Sequence, residues 1–196
     1  MDFNRIIRNI TRHIVLDQAE TDIFTSLLNS REIGRKEFLL RGGEIGKQMA
    51  YVDTGCLKVY SVSEDGTEHI VKFAPEDWWA VDIESFSLQL PSFYNIQAIE
   101  PSMTWQLSKD NYERLCLEVP KFERFFRILF QNSFIALQRR TQQSLSASAL
   151  ERYQHFKEKY PNLEQRISQK QIAAYLGITP EFLSMLRSQL SKGIKS

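Results

Sequence analysis

The stretch SQKQIAAYLGITPEFLSMLRSQL, residues 168–190, decides how this chain is read. Ser168 and Gln171 have capping-box spacing: the hydroxyl takes a backbone N–H of the first turn, and the amide side chain reaches back to the cap. Ile172, Ala173 and Leu176 give a short helix one apolar face, and the small Ala173 lets a second helix approach closely. Gly177 permits a sharp turn, with Ile178 expected to be buried in it. Thr179 then caps, and Pro180 starts, a second helix whose inner face is Leu183, Leu186 and Leu190. The pattern is a helix-turn-helix with a recognition helix over 179–190. Its outward face presents Glu181, Ser184, Met185, Ser188 and Lys192, with Arg187 beside them and turned to phosphates. The two helix starts, Ser168-Gln169 and Thr179, offer backbone N–H groups to a phosphate backbone.

Charge points the same way once it is resolved along the chain. The 196 residues carry 25 Lys+Arg and 24 Asp+Glu, a net charge of +1. Residues 139–196 hold ten basic and four acidic residues, a net of +6, which leaves −5 on residues 1–138. Such asymmetry assigns a polyanion to the C-terminal part. Conversely, no Lys or Arg lies between Lys72 and Lys109, a window that contains Glu76, Asp77, Asp82, Glu84 and Glu100.

Upstream, residues 1–30 read as two short helices, the second opened by the capping pair Asp17 and Glu20. From Glu32 to Ser108 short β-favouring runs alternate with Gly-containing turns, and Asp65-Gly66 between CLKVYSV and HIVKF is a strong hairpin signal. At least six such strands imply an antiparallel sandwich or barrel. Ser108 caps a further helix. Residues 121 to about 144 contain no Gly or Pro and form one long helix with two apolar stripes. Phe122, Phe125, Leu129, Asn132 and Ala136 make one stripe, and Phe126, Phe130, Phe134 and Leu137 the other. A surface helix needs one. The second face predicts a partner, and the first stripe is assigned to a two-fold pairing with another copy. Ser148 and Glu151 repeat the capping pair and open the C-terminal segment. The fold class is therefore α+β: an N-terminal antiparallel β-roll or jelly roll over 1–119, a dimerisation helix over 120–145, and a helix-turn-helix domain over 146–196.

Several classes are excluded. No apolar run approaches the length of a membrane span, and the N-terminus lacks the features of a signal peptide, so a cytoplasmic protein is expected. Cys56 and Cys116 are isolated in apolar surroundings, which fits reduced thiols and cannot supply a four-Cys cluster. His13, His69 and His155 are scattered without metal-ligand spacing. No nucleophile–base pair is apparent, so neither an enzyme nor a metal or cofactor protein is expected.

With GGEIGKQMAYVDTGCLKVYSVSEDGTEHIVKF and IAAYLGITPEFLSMLR, the chain resembles Crp/Fnr-type transcription regulators over nearly its whole length, and SALERYQHFKEKYPNLEQRI looks like the branch common in Bacteroidetes. The resemblance implies a cyclic-nucleotide-binding-like roll, a homodimer through the long helix, and a palindromic site on double-stranded DNA. The departures are specific. Relatives that bind cyclic AMP carry Gly-Glu early and Arg-Ser-Ala late in a phosphate cassette; the matching stretch here, WWAVDIESFSLQLPSFYNIQA, has no Gly and no Arg. A phosphate clamp normally relies on a charge-assisted, bidentate Arg. Cyclic AMP and cyclic GMP are therefore expected not to bind. An effector of unknown identity is instead assigned to Trp79, Asp82, Glu84, Ser85, Phe86, Phe93 and Tyr94. On the recognition helix Glu181 is retained, but Met185 stands where the family leads one to expect Arg. Ser196 also leaves little room for the β-hairpin wing of many relatives. The competing reading is a sensor dimer whose degenerate helix-turn-helix has lost specific DNA binding.

Overall fold

Two short helices, α1 (Asn4–Thr11) and α2 (Gln18–Ser26), lead into strands β1 (Asn29–Ile33), β2 (Phe38–Leu40), β3 (Gln48–Thr54), β4 (Leu57–Val62), β5 (Glu68–Ala74) and β6 (Trp79–Ala80). After helix α3 (Ile83–Leu88) come β7 (Asn95–Ala98) and β8 (Ser102–Ser108), then α4 (Lys109–Glu118), the long α5 (Lys121–Ser146), α6 (Ala149–Lys159), a 3-10 turn (Leu163–Gln165), α7 (Gln169–Leu176) and α8 (Pro180–Ser191). This computed structural model describes residues 2–191.

The strands form two four-stranded sheets, ordered β1-β8-β3-β6 and β2-β7-β4-β5. Register explains how one sheet serves two cores. On β3, Met49 pairs with Leu107 and Tyr51 with Trp105 of β8, and all four side chains join the helices' core with Ile6, Ile10, Phe24 and Leu115. The next residue on β3, Val52, turns to the other face and packs with Ile33, Leu57, Val59, Ile96 and Ala98 between the sheets. The alternation follows from the two-residue period of a strand.

The capping chemistry read from sequence is present. Asp17 with Glu20, Ser148 with Glu151 and Ser168 with Gln171 each form a reciprocal capping box, and the Ser108 hydroxyl accepts from the Asn111 N–H at 3.1 Å. At the β4–β5 hairpin the Asp65 carboxylate accepts from the Ser63 hydroxyl at 2.6 Å and the Thr67 N–H at 3.0 Å, which holds that carboxyl down at about 2.

The chain forms two compact units, Met1–Ser61 with Lys72–Phe134, and Val62–Val71 with Ile135–Ser196. These do not follow the expected limits at 119/120 and 145/146. The reason lies in α5. Its first turns bury Phe122, Phe125 and Phe126 in the first unit's core, where Phe122 stacks on Phe24 at 4.9 Å. Its last turns belong with the second unit, where the Arg140 guanidinium donates to the carbonyls of Ile70 and Val71 on the hairpin and of Tyr175 on α7.

That packing corrects the dimer assignment. Phe122 and Phe125 are enclosed within one chain and Leu129 is half-buried against the same core, so this stripe is not a free face. Asn132 is exposed and Ala136 half-buried. Among the apolar side chains that α5 leaves in solvent, Phe134 (60% exposed) and Leu137 (51%) lie on the other stripe, following the half-buried Phe130 at i, i+4, i+7 spacing, while Ile135 and Leu145 lie on neither.

Candidate nucleic-acid interface and effector site

In the second unit α6, the 3-10 turn, α7 and α8 close around Tyr153, Phe156, Tyr160, Leu163, Ile172, Ala173, Leu176, Leu183 and Leu186. Gly177 ends α7 in the left-handed region at φ +67, and the Ile178 N–H donates back to Ala173 at 3.1 Å, so the chain reverses in three residues. The Thr179 hydroxyl then accepts from the Phe182 N–H at 3.2 Å, a cap that starts α8. Ile178 is half-buried, and Leu190, expected inside, is 37% exposed because α8 runs past the end of the core.

Of the nine residues assigned to DNA, Ser168, Gln169, Thr179, Glu181, Ser184, Met185 and Ser188 are exposed. Glu181, Ser184, Met185 and Ser188 lie at i, i+3, i+4 and i+7 and so share one face of α8, while Leu183 and Leu186 point inward. Phe182 is also exposed, an apolar residue at the start of this helix that sequence reasoning missed. Lys192 lies outside the described residues.

Arg187 is a correction. Its guanidinium donates to Glu164 at 2.5 Å and to the Tyr153 hydroxyl at 3.0 Å, and that hydroxyl in turn donates to Glu164. Burial together with the Glu164 carboxylate pushes the Tyr153 phenol up. Arg187 thus ties α8 to α6 and the 3-10 turn instead of facing phosphates; its partners lie 34 and 23 residues away in sequence, beyond the reach of any local pattern. Arg187→Ala is expected to lower stability by about 1–3 kcal/mol, because it strands a carboxylate and the hydroxyl of a buried tyrosine. Urea unfolding measures this. The slope of DNA affinity against salt is expected to stay unchanged, whereas a phosphate contact would take about one unit from it.

The residues assigned to an effector separate into three groups. Trp79 and Phe86 belong to the packed core, with Trp79 donating its indole N–H to Asn9 at 3.2 Å and Phe86 edge-on to Tyr112 at 5.7 Å, so they fill space instead of lining a pocket. Phe93 is 70% exposed, Glu84 is exposed, and Tyr94 is half-buried. Asp82 and Ser85 are buried and already satisfied. The Asp82 carboxylate accepts from the Ser92 hydroxyl at 2.5 Å and from the Glu84 and Ser85 N–H groups at 3.2 and 3.4 Å, capping α3. Ser85 accepts from the Gly46 N–H at 2.7 Å and donates to the Leu90 carbonyl at 2.6 Å. Ser92 was not foreseen, because its role depends on a carboxylate ten residues away. The first cation after the window, Lys109, stands 5.5 Å from the Phe86 ring centroid and is paired with Glu113 at 2.9 Å.

Cys56 is buried, and burial pushes the Cys116 thiol up to about 11, away from a reactive thiolate. Among the described residues no group of three or more His, Cys, Asp or Glu is placed to hold a metal ion. No described helix is long and apolar enough to cross a membrane.

Residues 30–118 match the cyclic nucleotide-binding domain family. The anaerobic regulatory protein of Pasteurella multocida is 27% identical over 193 residues, covering 90% of this chain and 68% of that protein. In fold, the chain is similar to the c-di-GMP-responsive global regulator CLP of Xanthomonas campestris, with a TM-score of 0.74, 11% identity, and 90% and 93% of the two chains covered. It is also similar to FixK2 of Bradyrhizobium japonicum, with a TM-score of 0.73, 17% identity and 85% of each chain covered. Over most of its length the chain is similar in fold to these regulators. Within the matched residues, the Asp82 carboxylate occupies the Glu84 and Ser85 backbone N–H groups at the start of α3.

Proposed function

We propose that the protein is a cytoplasmic transcription regulator that binds double-stranded DNA as a homodimer, reading a two-fold-symmetric site through α8. The single observation that carries this reading is the outward face of α8. Glu181, Ser184, Met185 and Ser188 are all exposed on a helix held rigidly by Leu183 and Leu186, within a segment of net charge +6. Glu181 is placed to accept from a cytosine amino group, and Met185 to meet a thymine methyl. The Ser168 and Thr179 helix starts supply phosphate donors. Two copies joined through the Phe134–Leu137 face of α5 would present two such helices to successive major grooves, about 34 Å apart. The effector is a molecule other than a cyclic nucleotide: Asp82 puts a negative charge where a cyclic phosphate would need donors, and the stretch supplies no Arg to offset it.

The test is a mobility-shift titration against duplexes selected from a random library. For about six phosphate contacts, affinity is expected to fall about a thousandfold between about 50 and about 200 mM salt. Glu181→Ala is expected to relax base preference at one position at a cost of about 1–3 kcal/mol. Failure to enrich any sequence, or an affinity indifferent to salt, would overturn the reading.

A further inference from the structure

We propose that the second unit holds a site for a small phosphorylated anion, a pyrophosphate group in particular, separate from the DNA-reading face. The site is a cleft of about 380 Å³ formed by the last turns of α5, by α6 and by the end of α7. Among the described residues, none of α8 lines it.

The charge lining this cleft is unbalanced. Arg139, Arg140, Arg152 and Lys159 face it, and among the described residues the one carboxylate on its wall, Glu158, lies 3.3 Å from His155. The arginines are positioned without being neutralised. Arg140 donates to the carbonyls of Ile70 at 2.7 Å, Tyr175 at 2.9 Å and Val71. Arg152 donates to the carbonyls of Leu176 at 3.2 Å and Ala147 at 2.8 Å. Carbonyl dipoles fix the direction of a guanidinium but leave its full charge in place. Exposed Arg139 has no hydrogen-bond or ion-pair partner among the described residues. Lys159 is half-buried, and burial together with the neighbouring Arg140 charge presses its ammonium down. Cations that are crowded and partly dehydrated are relieved by an anion, and phosphate oxygens match guanidinium forks in geometry as well as in charge.

Size and depth select the ligand class. A cleft of 380 Å³ sits at the lower end of small-molecule sites, which run from about 300 to about 1,000 Å³. That admits a compact, multiply charged group, free or as the polyphosphate end of a nucleotide. A duplex backbone bears on exposed side chains, whereas this wall includes the buried Phe156 and the half-buried Arg140, Lys159 and Tyr175. The site also flanks the Ala147–Ser148 junction, so an anion held between Arg139 and Lys159 would fasten the end of α5 to α6 and set the angle between them.

The experiment is calorimetric titration of the full chain with inorganic pyrophosphate, with sulfate as control, for the wild type and for Arg139→Ala and Lys159→Met. The first variant alters an exposed side chain, the second keeps the bulk of a half-buried one, and circular dichroism checks that each is folded. Micromolar binding of pyrophosphate is expected, weakened about tenfold or more in each variant, with the DNA affinity of Arg139→Ala unchanged in the absence of ligand. Pyrophosphate binding no tighter than sulfate would overturn the proposal. So would variants that bind pyrophosphate like the wild type, or that bind DNA more weakly with a shallower salt slope, since the cations would then serve the duplex. DNA binding is read separately from anion binding, so failure here leaves the regulator reading intact.

Discussion

Phe125→Ala is expected to destabilise the first unit by about 3–5 kcal/mol, the usual cost of emptying a buried aromatic site. The ring is fully enclosed, with the centroids of Phe126, Trp79 and Phe122 at 5.2, 6.0 and 6.1 Å. Three of its ring neighbours come from α5 itself and from a strand of the roll, which cannot readily collapse into the hole, and the fourth, His13 at 6.1 Å, comes from the turn after α1. Domain stabilities are of the order of 5–15 kcal/mol, so a large part of the total is lost. Urea unfolding followed by tryptophan fluorescence reports it, because Trp79 borders the cavity. The matched substitution is Phe134→Glu, 9 residues further along the same helix and 60% exposed. With two copies joined through this face as proposed, it is expected to leave the fold intact and to give a monomer in light scattering, because two carboxylates would be forced into one apolar seam. The reverse outcome, a folded monomer from Phe125→Ala and an undisturbed dimer from Phe134→Glu, would restore the stripe first read from the sequence.

Gly55→Ala is the second large effect. Gly55 sits between β3 and β4 at φ +87, where a side chain is strained in any surroundings. Its surroundings are also closed: a Cβ there would lie 2.6 Å from the Pro101 carbonyl oxygen and 2.7 Å from the Ser102 Cα, and nearer still to the Ser102 hydroxyl. That hydroxyl accepts from the Cys56 N–H at 3.1 Å, and the Gly55 N–H donates to Glu76 at 3.1 Å, so relief by movement breaks a hydrogen bond. Left-handed strain and overpacking together are expected to cost about 2–5 kcal/mol, read as a lowered denaturation midpoint. Gly66 is the control. It has φ +82 in the β4–β5 turn with nothing within 4 Å of a Cβ, so Gly66→Ala is expected to cost only about 1–2 kcal/mol.

What the sequence made legible was chemistry of short reach. Three capping boxes, the Ser108 cap, the Asp65-Gly66 hairpin and the Gly177 turn each depend on residues within four positions, and all are present. The exposed face of α8 followed in the same way from helical periodicity. The misjudged residues depend on distant partners. Arg187 looked available for phosphates because Glu164 and Tyr153 reach it only after the three helices pack. The two stripes of α5 look alike in sequence; α1, α2 and the roll close over both at its first turns and leave only one apolar at its later turns. Phe93 and Phe86 are the same residue type seven positions apart, yet one is in solvent and the other in the core. Arg140 and Arg152 drew no notice as individuals, because main-chain carbonyls, which carry no sequence signature, are what hold them.

Asp82 has a wider consequence. Its carboxylate closes the start of α3 and is braced by Ser92, so that corner of the roll carries its counter-charge as part of the chain. Because that anion is covalent, its place at the start of α3 does not depend on the concentration of any molecule in solution. A dissociable anion seeking the same N–H groups would first have to displace a carboxylate that is tethered beside them.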